Sequence, residues 1–150
     1  MDQRSILNSL PYSKPFLFVD EISHIDENSV TGRYTFTPDH DFYNGHFKDN
    51  PVTPGVILTE CMAQIGLVCL GIFLLNKDSS ISENPHMALS SSEVEYFKPV
   101  FPGETVKVVS EKQYFRFNKL KCEVRMFNTS EVLVCKGTIA GMILENKGNG

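Results

Sequence analysis

The sequence predicts an α+β fold, a curved antiparallel sheet of about six strands wrapped around one long helix. Three observations carry this. The stretch from Val56 to Leu75 is apolar almost all round and too long for a strand, so it must be enclosed on most sides. Two segments rich in aromatic and β-branched residues precede it and four follow. The last three of those four are joined by short turns, which forces neighbouring strands to run antiparallel.

Taken in order, Gln3 to Leu10 reads as a short helix ended by Pro11. Phe16 to Ile22 is a strand, Asp26-Glu27-Asn28 a turn, and Ser29 to Thr37 a second strand. Pro38 to Thr53 has prolines, a glycine and no helical period, and is a loop. The long helix is expected to begin at Pro54, with Thr53 as its N-cap and proline at the first position, where no amide donor is needed. It is expected to run to about Leu75, with polar Asn76 to Asn84 as a solvent loop. The remaining strands are His86 to Phe97, Thr105 to Phe117, Leu120 to Asn128 and Val132 to Leu144. Their turns are Pro102-Gly103-Glu104, Asn118-Lys119 and Asn128 to Glu131. The tail 146–150 is expected to be disordered. Repeats and linkers are lacking, so residues 1–150 form a single domain. This is the hot-dog arrangement, and its exposed sheet edge predicts dimerisation.

The 150 residues suit one domain, and 41% hydrophobic with 21% charged residues is ordinary for a soluble globular protein. A net charge of −4 excludes nucleic-acid binding by bulk electrostatics but allows a local basic patch. Cys61, Cys69, Cys122 and Cys135 have no paired short spacing, so they form neither a zinc ribbon nor a redox motif. They lie in apolar runs and are expected to be buried free thiols in a reducing compartment. No basic segment followed by an apolar one opens the chain, so a cytoplasmic protein is expected. Val56 to Leu75 has the length of a membrane span. Glu60 and Gln64 within it are costly in lipid, and its flanks lack basic and aromatic anchors. A buried core helix is the reading preferred.

The chemistry-bearing residues concentrate between Asn44 and Gln64. His46 is an imidazole between Gly45 and Phe47 in a loop stiffened by glycine and proline. Histidine exchanges protons most readily near neutral pH, although an isolated loop histidine ordinarily has no task. His24, His40 and His86 have no supporting context. Glu60 is a carboxylate two turns into an apolar helix, which either reaches solvent, pairs, or acts. Burial would raise its pKa and let it serve as a general acid. Gln64 lies four residues on, on the same face, where it can orient the carboxyl group. The helix start at Pro54-Gly55-Val56 presents free amides to developing negative charge, and Gly55 has no side chain to block a carbonyl. Any capped helix shares that property. Cys61 has no activating base at a fixed place beside it, so a nucleophile is not expected.

Together these residues resemble the active-site run of the FabZ-type 3-hydroxyacyl-(acyl-carrier-protein) dehydratases, GHFPxxPVMPGVxxxEAMAQ, which stands here as Gly45-His46-Phe47 through Pro54-Gly55-Val56 to Glu60-Cys61-Met62-Ala63-Gln64. The family's LPHRYPFLLVD is similar to Leu10 through Asp20, and its KFxxPVxPGD to Tyr96 through Glu104. The resemblance implies the hot-dog fold. It carries the catalytic histidine onto His46 and the acid onto Glu60, the two meeting across a dimer interface. It carries the thioester-binding amide onto Gly55 and implies a trimer of dimers with an acyl tunnel along the helix. The isomerising FabA-type relatives use aspartate where this chain has Glu60, which argues against isomerisation. Three departures stand out: Lys48 after the GHF run, Thr53 before the Pro-Gly pair, and Tyr12 in place of the LPH histidine. They bear on substrate range more than on the reaction, so polyene or polyketide-like synthesis is as open as fatty-acid elongation.

The function expected is dehydration of 3-hydroxyacyl thioesters on acyl carrier protein to trans-2-enoyl products. His46 would take the C2 proton and Glu60 would protonate the departing hydroxyl, with Gly55, Val56, Gln64 and Phe47 about the substrate and no metal or organic cofactor. Lys14, Lys48 and Lys98 are candidates for a basic patch that meets an acidic carrier. Two alternatives remain, a hot-dog acyl thioesterase and a non-catalytic subunit of a heterodimer. The presence of both His46 and Glu60 favours the dehydratase.

Overall fold

The computed structural model describes residues 2–77 and 86–144. Its sheet consists of β1 (Glu21–Ile25), β2 (Ser29–Thr35), β3 (His86–Tyr96), β4 (Thr105–Arg116), β5 (Lys119–Phe127) and β6 (Leu133–Leu144). The spatial order is β1-β2-β4-β5-β6-β3, every neighbouring pair antiparallel. A short helix α1 (Gln3–Asn8) precedes the sheet, and the long helix α2 (Gly55–Lys77) lies against it. This is the hot-dog fold, with β1 and β3 as the free edges.

Alternation explains the sheet's inner face. Val106, Val108 and Ser110 of β4 and Leu120, Cys122, Val124 and Met126 of β5 are buried, while the residues between them are not. That face is covered by α2, in which every residue from Cys61 to Leu70 is buried. Each large apolar side chain taken fully from water there contributes about 1.5–3 kcal/mol. The helix is long and apolar enough to cross a bilayer, with mean hydropathy 2.0, yet 67% of that stretch is buried inside the molecule. It is the core helix.

The middle of α2, Gln64–Cys69, is π-helical. The carbonyl of Gly66 there accepts a hydrogen bond from the buried Ser110 hydroxyl at 2.8 Å. A Cβ on Gly66 would lie 3.0 Å from both the Ser110 Cβ and a Val124 methyl, so glycine lets helix and sheet approach closely. The same close approach holds β3 against β6. A Cβ on Gly137 would meet the Glu93 carbonyl oxygen at 2.2 Å.

Most predicted elements lie within two residues of their place, and four differ instructively. The first strand is Glu21–Ile25, not Phe16–Ile22. The backbone of Phe16 and Phe18 bonds to the Gln64 side chain instead of to a neighbouring strand. Thr53 is not an N-cap. Helix α2 starts at Gly55 after Pro54, and no side chain caps it. Thr53 is buried, with its hydroxyl 2.5 Å from that of Tyr43 and its amide donating to the Val100 carbonyl at 2.8 Å. The helix continues to Lys77, past the expected loop start at Asn76. The β4–β5 turn is Phe117-Asn118, with φ of 52° and 61°, and Lys119 already belongs to β5. The rest of the expected loop to Asn84, and the tail 146–150, lie outside the described residues.

Candidate active site

The loop carrying His46 is anchored on both sides by aromatic residues. Before it, His40 stacks on Phe42 with ring centroids 4.9 Å apart, and its Nε2 lies 2.7 Å from the Tyr34 hydroxyl. A single 3₁₀ turn, Asp41–Asn44, then buries Tyr43, whose hydroxyl meets Thr53 beyond the loop. The loop closes on itself. The His46 amide donates to the Phe42 carbonyl at 3.0 Å, and the Val52 amide donates to the His46 carbonyl at 2.8 Å. The half-buried imidazole stacks on Phe47, with centroids 4.2 Å apart. Its Nδ1 lies 3.0 Å from the Val52 carbonyl oxygen. A carbonyl only accepts, so in the neutral ring Nδ1 carries the hydrogen and Nε2 keeps a lone pair. The backbone thus prepares a base at Nε2.

Glu60 faces the N-terminal segment. Its Oε2 accepts from the Gln64 amide at 3.0 Å. Gln64 is fully buried and wholly committed to the protein. Its Oε1 accepts from the Phe18 amide at 2.8 Å, and its Nε2 also donates to the Phe16 carbonyl at 3.0 Å. Those bonds fix which end of the amide is which, so Oε2 of Glu60 faces a donor. When the acid is protonated, the proton therefore sits on Oε1. Burial raises the Glu60 pKa, opposed in part by the Gln64 hydrogen bond. Tyr12 stands nearby. Burial first, and then the Glu60 charge, push its phenol up to about 12.

At the helix start a cleft of about 380 Å³ opens between Thr53, Gly55 and Leu58 on one side and Tyr96 to Pro99 on the other. The first intrahelical bonds reach the Pro54 carbonyl from Ile57 and Leu58, which leaves the Gly55 and Val56 amides outside the ladder. The Tyr96 ring lies over Gly55, 3.2 Å from where a Cβ would stand, and its hydroxyl bonds to that of Thr59. Gly55 therefore makes room for an aromatic ring. Val56 and Phe47 are exposed, as are Lys14, Lys48 and Lys98, and Lys98 lines the cleft.

Within one chain Glu60 and Gln64 are brought together, and His46 bonds to neither of them. Tyr12, Thr59 and Tyr96 were not singled out as site residues by sequence reasoning. Tyr12 stood out only as a departure from the first flanking motif, Tyr96 stood inside the second, and nothing marked Thr59. Cys61 is buried, donates to the Phe18 carbonyl at 3.4 Å, and has its thiol pKa driven well up by burial, so it is no nucleophile. The other three cysteines are likewise buried free thiols.

Residues 10–138 match the model of the FabA-like domain. Among curated proteins, the chain is 36% identical over 111 residues to the 3-hydroxyacyl-[acyl-carrier-protein] dehydratase FabZ of Clostridium perfringens, covering 74% of this chain and 76% of that one. It is 33% identical to FabZ of Sinorhizobium fredii, covering 97% and 92%. It also matches the bifunctional enzyme LpxC/FabZ of Chlorobaculum tepidum at 32%, spanning 97% of this chain but 30% of that longer protein. Two solved structures share the fold. One is the dehydratase heterocomplex ApeI:P from Xenorhabdus doucetiae, with TM-score 0.78, 13% identity and coverage of 94% and 91%. The other is a hypothetical thioesterase with coenzyme A from Streptococcus pneumoniae, with TM-score 0.62, 14% identity and coverage of 83% and 85%. At those identities the structures speak for the fold alone. The family model spans most of the sequence, including both His46 and Glu60, and with the FabZ relatives it settles kinship: the chain belongs to the FabA-like family.

Proposed function

We propose that this protein is a 3-hydroxyacyl-(acyl-carrier-protein) dehydratase working in fatty-acid synthesis. The observation that supports it most directly is the pairing of roles already prepared in the chain. His46 is held with Nε2 free to accept a proton, and Glu60 is held with its pKa raised and its proton directed to Oε1. Nε2 of His46 removes the C2 proton. The C–H electron pair becomes the second bond between C2 and C3, the C3–O bond breaks, and Oε1 of Glu60 protonates the departing hydroxyl to give water. Helix-start amides at Gly55 and Val56 stabilise the thioester oxygen as it gains charge. Gln64 acts as a positioning residue, since its amide is spent on Phe16, Phe18 and Glu60. The reaction is two proton transfers and one C–O cleavage with no change of overall oxidation state, for which these side chains suffice without a cofactor.

The resemblance to the FabZ-type enzymes implies that His46 and Glu60 meet across a dimer interface, and on that reading each site is completed by a second copy. The almost wholly exposed edge strand β3, with Leu89 and Tyr96 about half accessible, is the edge that would be joined. A homodimer with two sites follows, and a trimer of dimers is the larger assembly expected from the resemblance. Lys98 lines the cleft, which supports it as a contact for an acidic carrier. Buried thiols suit a cytoplasmic enzyme.

Mass spectrometry of 3-hydroxyacyl carrier protein after incubation with the enzyme tests this reading. Loss of one water, reduced about 100-fold or more in His46→Ala, is the expected result. Release of free acid instead would replace the dehydratase with a thioesterase.

A further inference from the structure

The β4–β5 hairpin tip combines three features that the reaction does not use. Phe117 is 91% exposed, the most exposed large hydrophobic residue described. It occupies a turn in which both central residues have positive φ, 52° at Phe117 and 61° at Asn118. Such positions favour glycine, asparagine or aspartate, and a bulky side chain is strained there. Flanking it, Arg116 pairs across the ladder with Lys119, and Tyr114 with Lys121. All four share one face of the sheet. The Arg116 guanidinium lies 4.6 Å from the centre of the Tyr114 ring, and the Lys121 ammonium 6.0 Å from it. None of the three cations is ion-paired among the described residues. A protein of net charge −4 thus carries a local cationic ribbon ending in an exposed aromatic tip.

The hairpin stands apart from the cleft. Leu120, just past the turn, packs beside Gly71. That position is about 24 Å along the helix from Gly55 at 1.5 Å per residue. A carrier seated on the tip would be at the wrong end of α2 to feed that cleft. The contact area is also small. One ring and three cations fall well short of the roughly 800 Å² a partner protein usually covers. An anionic bilayer makes no such demand, because cations act at the headgroup level and a single aromatic ring seats at the interface.

We infer that the Arg116–Lys121 hairpin is a peripheral docking device for anionic lipid surfaces, with Phe117 entering the interface and Arg116, Lys119 and Lys121 contacting headgroups. It would hold the enzyme reversibly beside a membrane, and its multiplication in an oligomer would strengthen the attachment.

Co-sedimentation with phosphatidylglycerol vesicles, against phosphatidylcholine vesicles, tests this on the whole chain. Wild type should bind the anionic vesicles at low salt and be released at about 0.5 M salt, where the Debye length falls to a few ångströms. Phe117→Asn should bind about tenfold more weakly, yet melt at or above the wild-type temperature, because asparagine suits the turn. Arg116→Glu with Lys121→Glu should abolish sedimentation. Turnover of soluble substrate should be unchanged in Phe117→Asn, so this result is independent of the reaction assigned above. The inference is overturned if wild type ignores anionic vesicles at low salt, or if Phe117→Asn binds them equally. It is also overturned if purified acyl carrier protein, rather than lipid, binds in a Phe117-dependent way.

Discussion

Burial of the Glu60 carboxyl makes its contribution to stability depend on pH. Burial raises its pKa above the ordinary 4.5, so the folded protein favours the protonated acid more than the unfolded chain does. Its contribution is therefore present in full below pH 4.5 and is lost as pH rises through the folded-state value, because the unfolded chain ionises first. Glu60→Gln keeps an acceptor for the Gln64 amide and removes the titration. It is expected to melt higher than wild type at about pH 7.5, with the gap closing as pH falls below 4.5. Thermal unfolding followed across that range checks this, and a gap independent of pH would show that Glu60 does not carry the shift. Sequence alone made Glu60 and His46 legible because the motif holds both within 15 positions. The partners of Gln64 were not legible. Phe16 and Phe18 lie 48 and 46 residues away, and their free backbone groups exist only because that segment fails to join the sheet.

At the scale of elements, periodicity found what packing enforces and missed what hydrogen bonding decides. The alternating pattern of β4 and β5 and the apolar run of α2 located themselves, since burial of one face or of all faces writes directly into composition. Phe16 to Asp20 has the composition of a strand, but the side chain of one buried glutamine takes the Phe16 carbonyl and the Phe18 amide, and the chain reaches β2 only at Asp20, whose amide donates to the Arg33 carbonyl. The N-cap failed for the related reason that Thr53 is buried against Tyr43. The π-helical Gln64–Cys69 segment left no signature beyond the glycine within it. Its dependence on the sheet yields a prediction. Ser110→Ala removes the only side-chain donor to the buried Gly66 carbonyl among the described residues. Losing that buried bond should cost about 0.5–1.5 kcal/mol, read as a lower urea midpoint with unchanged slope. If the midpoint stays put, the helix satisfies Gly66 by itself.

For the whole molecule, the proposed reaction asks how the base at His46 and the acid at Glu60, which share no hydrogen bond within one chain, serve one substrate. The sheet has an open edge at β3, whose two faces are both largely exposed, unlike those of every other long strand. An edge of that kind is completed by another strand or covered. On the proposed reading, a second copy closes it under twofold symmetry and makes two equivalent sites, each with His46 from one subunit and Glu60 from the other. Subunit mixing distinguishes this from any single-chain site. His46→Ala and Glu60→Gln homodimers should each be inactive. Unfolded together in equal amounts and refolded, about half of the dimers carry one chain of each kind. In every such mixed dimer one site has lost both groups and the other retains both. Activity should therefore return to about one quarter of the wild-type level, measured as water loss per active-site equivalent. Sites contained within single chains would give no recovery at any mixing ratio, because every chain would still lack one of its two groups.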